Sequence, residues 1–185
     1  GPWAHGALGP GLWTRALGPS QAWAQARPGP RARTHAGAGA GEPVETWVLT
    51  PPDQLKPFEI GGDQIPALID EIPLLSVLAA RTSGRSDIRD AAELRVKETD
   101  RIRALATNLS ALGAVVSERD DGLSIEGSSK PLAGRVLSYG DHRIAMAFGV
   151  LSLDSEVKIA IDDPDCCSVS FPGFSDAIGV FEEDL

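Results

Sequence analysis

From about residue 55 onward the apolar positions fall into short regular runs, and their spacing predicts alternating strands and helices. Phe58-Glu59-Ile60 alternates as a short strand does and is closed by Gly61-Gly62. Ile65, Leu68, Ile69, Ile72, Leu75, Val77 and Leu78 then recur at helical spacing, with a stop at Ser83-Gly84. Pro73 falls inside that helix and lacks a backbone donor, which predicts a kink or break near Asp70-Glu71. Ser86-Asp87-Ile88-Arg89 reads as the next strand. Ile102, Leu105, Ala106, Leu109 and Leu112 form one apolar helical stripe, and Gly113 suits its C-terminal stop.

Ala114–Glu118 and Leu123–Glu126 have the pattern of a hairpin around Asp120-Asp121-Gly122. Arg135–Ser138 is a further strand, Ile144, Phe148 and Leu151 mark a helix, and Val157, Ile159 and Ile161 alternate as a strand. Phe174–Phe181 is a last short helix. The order is β-α-β-α-β-β followed by β-α-β-α, with the second unit cut short. Alternation of this kind places the body in the α/β (α+β) class, with helices covering one sheet face.

Residues 1–54 have no such periodicity. The first 41 contain no Asp, Glu or Lys and four Arg (Arg15, Arg27, Arg31, Arg33). Trp3, Trp13 and Trp23 recur at ten-residue spacing among Gly, Pro and Ala, and Ala-Leu-Gly-Pro occurs at 7–10 and again at 16–19. Gly and Pro at this density oppose both helix and sheet, so 1–54 reads as a disordered or non-native leader ahead of a domain at 55–185. An acid-free, Arg-bearing start also has the composition of an organelle transit peptide, although Ser20 is its one serine. The expected location is the cytoplasm, or a plastid if the leader is such a peptide.

Charge sharpens the division. All 26 acidic residues and the other 13 basic ones lie in 42–185, so that part carries −13 while the head carries +4. An acidic body argues against nucleic acid or an anionic membrane as partner, because like charges repel. No apolar run approaches the roughly 20 residues that span a bilayer. Cys166 and Cys167 are adjacent and have no zinc-ligand spacing, which predicts two free thiols and no metal.

Against this background two charged clusters stand out. Leu94-Arg95-Val96-Lys97-Glu98-Thr99-Asp100-Arg101 precedes the apolar helical stripe. If the helix extends back through it, Lys97 and Glu98 share a face with Arg101, and Glu93 lies four before Lys97. Helix N-termini favour anions, Arg grips a carboxylate or phosphate through two parallel hydrogen bonds, and Glu98 among cations stays ionised as a base. Read alone, the run is a solvated first turn laced with weak ion pairs. The second cluster, Ser138-Tyr139-Gly140-Asp141-His142-Arg143, joins a strand to a helix. There Asp141 is placed as N-cap, and His142 can donate to an anion or move a proton near neutral pH. Asp70, a carboxylate in an apolar helix, calls for solvent or a cationic partner.

These stretches together resemble the enolpyruvyl transferase family, in its shikimate branch. The matching text is Ile65-Pro66-Ala67-Leu68-Ile69-Asp70-Glu71-Ile72-Pro73, Leu94 to Arg101, Tyr139-Gly140-Asp141-His142-Arg143-Ile144-Ala145-Met146-Ala147, and Ser170-Phe171-Pro172-Gly173-Phe174, in family order. The branch that acts on UDP-N-acetylglucosamine is less similar.

The resemblance implies a domain of βαβαββ units forming an inside-out α/β barrel, here incomplete at about two units, with the catalytic cleft between two such domains. It implies transfer of the enolpyruvyl group of phosphoenolpyruvate to the 5-hydroxyl of shikimate 3-phosphate, on the way to chorismate and aromatic amino acids, without metal or organic cofactor. Asp70 then matches the base at the substrate hydroxyl and Glu98 the acid/base at the methylene carbon. Lys97, with Glu93 beside it, matches the shikimate 3-phosphate side, and Arg101 and Arg143, with His142, match the phosphoenolpyruvate side.

The family, in some members, has a lysine where Val169 stands, and its N-terminal signatures have no counterpart in residues 1–54. Two expectations of different class follow. Either the chain is one piece of an active enzyme, completed by an N-terminal segment and inactive alone, or it is a non-catalytic truncated or pseudogene product that binds an anion weakly.

Overall fold

The computed structural model describes residues 54–178. The leader expectation, apart from Gln54, and the last part of the helix expected over Phe174–Phe181 lie outside the described residues. Six strands and five α-helices follow one another as β1 (Glu59–Ile60), α1 (Ile65–Leu68), α2 (Ile72–Ala79), β2 (Gly84–Ile88), α3 (Arg101–Ala111), β3 (Val115–Arg119), β4 (Gly122–Gly127), β5 (Leu132–Val136), α4 (His142–Leu151), β6 (Val157–Ile161) and α5 (Phe174–Ile178). Short 3-10 turns fill Gly62–Gln64, Ala92–Val96 and Pro164–Val169.

The first four strands form one sheet in the order β1-β2-β4-β3, with β1 parallel to β2 and the other pairs antiparallel. β5 and β6 form a second, parallel pair in the register Leu132↔Val157 to Val136↔Ile161. This is one complete βαβαββ unit and the βαβα start of another, the order read from the sequence. The core lies where the helices meet the sheet. Ile102, Leu105 and Leu109 of α3 are fully buried, as are Ile88 of β2 and Ile125 of β4. Among the described residues no helix is long and apolar enough to cross a membrane.

Local chemistry explains the boundaries. α3 stops at Gly113, whose φ of 100° suits a residue without a Cβ. The β3–β4 hairpin turns on Asp120-Asp121. Gly122 follows because a Cβ there would lie 1.9 Å from the Ile88 carbonyl oxygen. The expected break at Asp70-Glu71 is present between α1 and α2, and Pro73 sits in the first turn of α2, where its missing N–H is not needed.

Three expectations shift. The helix expected to reach Ser83 ends at Ala79, and Gly84 opens β2 instead of stopping a helix. The strand expected over Arg135–Ser138 runs over Leu132–Val136. It ends there because the Asn108 side chain takes both the N–H and the C=O of Leu137, at 2.9 and 2.8 Å, in place of a strand partner. Finally, α3 does not extend back through Lys97 and Glu98. Asp100 caps it by accepting from the Arg103 N–H at 3.0 Å, and Ala92–Val96 form a separate 3-10 turn.

Candidate active site

Three turns carry the expected residues. Asp70 sits at the α1–α2 break, Lys97 and Glu98 lie in the lead-in to α3, and His142 and Arg143 form the first turn of α4. Arg101, the first residue of α3, draws them together. Its side chain is 1% exposed, and its guanidinium contacts carboxylates from all three turns. Nε donates to Asp141 Oδ2 at 2.8 Å and Nη2 to Asp141 Oδ1 at 3.3 Å. Nη2 also reaches Glu98 Oε2 at 2.6 Å, and Nη1 reaches Asp70 Oδ1 at 3.3 Å. Burial works against the charge of Arg101, but the hydrogen bond and charge of Asp141, with Glu98 and Asp70 beyond, hold its pKa above the ordinary value.

Arg143 approaches the same turn from α4. Its Nη1 donates to the Asp70 backbone oxygen at 2.8 Å, while Glu71 and the Asp70 carboxylate lie 3.4 and 3.7 Å from its guanidinium. Asp70 therefore lies between two guanidinium groups with half of its side chain in solvent, which meets its need for both water and a cation. The loop that delivers Arg143 turns through Tyr139 and Gly140, both left-handed at φ 57° and 69°. A bulky side chain seldom adopts that conformation, and the surrounding hydrogen bonds hold it. Asp141 N–H donates to the Ser138 carbonyl at 3.0 Å, and Ser138 N–H donates to Asp162 Oδ1 at 2.8 Å.

Lys97 does not share a helix face with Arg101 as expected. Because the helix starts four residues later, its Nζ turns back to Glu93 Oε1 at 2.5 Å. The hydrogen bond to Glu93 holds the Lys97 ammonium above its ordinary pKa, and the negative charge of Asp70 adds to this. The spacing-three pair of Glu98 with Arg101 does form, although outside the helix. His142 is partly buried and its imidazole has no hydrogen-bond partner among the described residues. Glu93 touches the cluster only through Lys97.

The cluster has acid/base groups within reach of cations, as proton transfer on an anionic substrate requires. It is also already paired internally. Lys97, Arg101 and Arg143 each hold a carboxylate, so an incoming anion has to displace one. Arg143 and Lys97 are the easier to free, because their contacts are solvated. Arg101 can offer only its Nη1 edge.

Sequence reasoning placed Asp141 as an N-cap and missed its grip on Arg101. The two residues are 40 apart, and only the fold brings them together. Val169, at the position of the lysine some family members have, is 82% exposed. Cys166 and Cys167 are free thiols, as expected. Burial pushes the Cys167 thiol up to about 12. Among the described residues no group of His, Cys, Asp and Glu is arranged to hold a metal ion.

Comparisons with known proteins identify the relatives of this chain. The family model for EPSP synthase (3-phosphoshikimate 1-carboxyvinyltransferase) matches residues 37–178. The 3-phosphoshikimate 1-carboxyvinyltransferase of Salinibacter ruber is 56% identical over 125 residues, which cover 67% of this chain and 29% of that protein. That of Aquifex aeolicus is 47% identical over 135 residues, covering 73% of this chain and 31% of the relative. Among solved structures, EPSP synthase from Acinetobacter baumannii superposes with a TM-score of 0.61 at 34% identity, covering 68% of this chain and 30% of that one. An enolpyruvyl transferase from Streptomyces tendae, at 20% identity and a TM-score of 0.57, shares the fold. The chain thus spans about 31% of the length of the curated relatives it matches. The described fold is part of an enolpyruvyl transferase domain, and the chain belongs to the EPSP synthase family.

Proposed function

We propose that residues 55–185 form one wall of an enolpyruvyl transfer site. That wall would act on phosphoenolpyruvate and shikimate 3-phosphate to give 5-enolpyruvylshikimate 3-phosphate and phosphate. The observation that carries this reading is the meeting of Asp70, Glu98, Arg101 and Arg143 in one cluster built from three separate turns. Arg143 and the Nη1 edge of Arg101 hold the phosphoenolpyruvate anion, with His142 beside them. Lys97, released from Glu93, faces the shikimate 3-phosphate side. Asp70, once an anion has taken its place on the arginines, is free to accept the hydroxyl proton, and Glu98 exchanges a proton with the methylene carbon. Phosphate then leaves from the tetrahedral intermediate.

The matched segment is less than a third of the relatives' length, so the opposite wall comes from a complementing N-terminal segment. Without it the chain loses the positioning that makes a two-substrate reaction effectively unimolecular. The stretch ahead of the family match acts as a leader, and the location is the cytoplasm, or a plastid if that leader is a transit peptide. The test is phosphate release from both substrates. The chain alone is expected to release none, and a mixture with the N-terminal segment of a relative is expected to release phosphate that Glu98→Gln abolishes. Release by the chain alone sinks the need for a second wall. Release by the mixture that Glu98→Gln leaves intact sinks the role of Glu98.

A further inference from the structure

Asp141 is the most enclosed carboxylate of the cluster, at 0% exposure, and its contacts are shared between two of the proposed anion-holding residues. Oδ2 accepts from Arg101 Nε at 2.8 Å, and Oδ1 accepts from Arg101 Nη2 at 3.3 Å. The same Oδ1 caps α4, accepting from the N–H of Arg143 at 2.9 Å and of Ile144 at 3.4 Å. We propose that Asp141 is a positioning residue of the anion site, fixing the Arg101 guanidinium and the first turn of α4 in one frame without touching either substrate. The proposal rests on the phosphoenolpyruvate reading for the identity of the anion.

The geometry argues for this in two ways. A guanidinium clamped along its Nε–Nη2 edge keeps one orientation, so the Nη1 edge faces Asp70 before any ligand arrives and need not be ordered on binding. Two of the free N–H groups in the first turn of α4, those of Arg143 and Ile144, are also already taken by Asp141. A ligand anion is therefore directed to the side chains of Arg101 and Arg143 and away from the helix end.

Charge alone makes the opposite prediction. Asp141 is an anion beside an anion site, so removing its charge would tighten phosphoenolpyruvate binding if Coulomb attraction decided the matter. Positioning says that binding weakens.

The experiment uses the 185-residue chain, with phosphoenolpyruvate as probe and amide and arginine side-chain NMR as readout. In Asp141→Asn, phosphoenolpyruvate binding is expected to weaken by about tenfold or more. Exchange of the Arg143 and Ile144 amides should stay slow, because asparagine also caps. Unchanged or tighter binding overturns the proposal. If that variant does not fold, the unaltered chain decides, since the Nε–H of Arg101 should exchange at least about tenfold more slowly than that of exposed Arg103 on the same helix. Equal rates overturn the clamp. If the unaltered chain does not bind phosphoenolpyruvate alone, the same comparison is made with the N-terminal segment of a relative added; no binding there overturns the enolpyruvyl reading, while the exchange comparison still judges whether Asp141 fixes Arg101.

Discussion

Lys97 and Arg101 lie four residues apart in one run, yet their ion pairs stand in different media. The Lys97–Glu93 pair is open to water and closes within a single 3-10 turn and its flank. The Arg101–Asp141 pair is sealed from water and joins two helices 40 residues apart. A solvated pair contributes about 0–1 kcal/mol, because water competes for both partners. A buried pair is a poor source of net stability but costly to break, since the survivor is left charged and unpaired. The same residue types thus give a movable cation at the rim and a fixed one at the base.

The sharpest way to break the contrast is Asp141→Ala, which removes the buried partner of Arg101 and leaves it only the half-exposed Glu98 and Asp70. It should cost about 3–5 kcal/mol in urea unfolding, while Glu93→Ala should cost under about 1 kcal/mol. Equal costs would show that burial does not separate the two pairs. Asn108→Ala comes next. It leaves the N–H and C=O of Leu137 without their partners and should cost about 1–3 kcal/mol by the same measurement. Asp100→Ala removes the cap that starts α3 after Lys97 and should cost about 1 kcal/mol, whereas Asp100→Asn should be near neutral.

The smallest expected effect is one of pH. Burial would raise the Asp162 pKa, but hydrogen bonds from Ser138 outweigh it and hold the carboxyl below its usual value. A lowered native pKa favours the folded state above the unfolded pKa of about 4, and that contribution is lost as the pH falls through the native value. Asp162→Asn should therefore lower stability modestly at pH 7, and the gap to the unaltered chain should close as the pH falls below about 4.

The legible parts of this chain are those fixed by local spacing. The α3 stripe, the break at Asp70-Glu71, the Asp141 cap and the Asp120-Asp121 hairpin each depend on neighbours within a few residues, and each is present. The succession of strands and helices along the chain was legible as well, since each element carries its own periodicity. What the pattern could not show were contacts between distant turns. Arg101 looked like a surface partner of Lys97, because periodicity cannot say that a residue 40 positions on will enclose it. The shift of β5 has the same origin. Alternation alone extended the strand to Ser138, while a side chain on another element ended it at Val136. The start of α3 was misplaced for a local reason, since helical spacing in the charged run continues back past Asp100, whose side chain caps the helix there.

That amide on α3 links more than one strand end. Asn108 presents a donor and an acceptor to Leu137 in the arrangement a neighbouring peptide unit would use, so a helix side chain completes the edge of the second sheet. Leu137 lies beyond that sheet and is itself exposed. Its backbone amide should nevertheless resist deuterium exchange as a ladder amide does. The complete unit and the start of the next should then open together, as one cooperative block, when the chain unfolds.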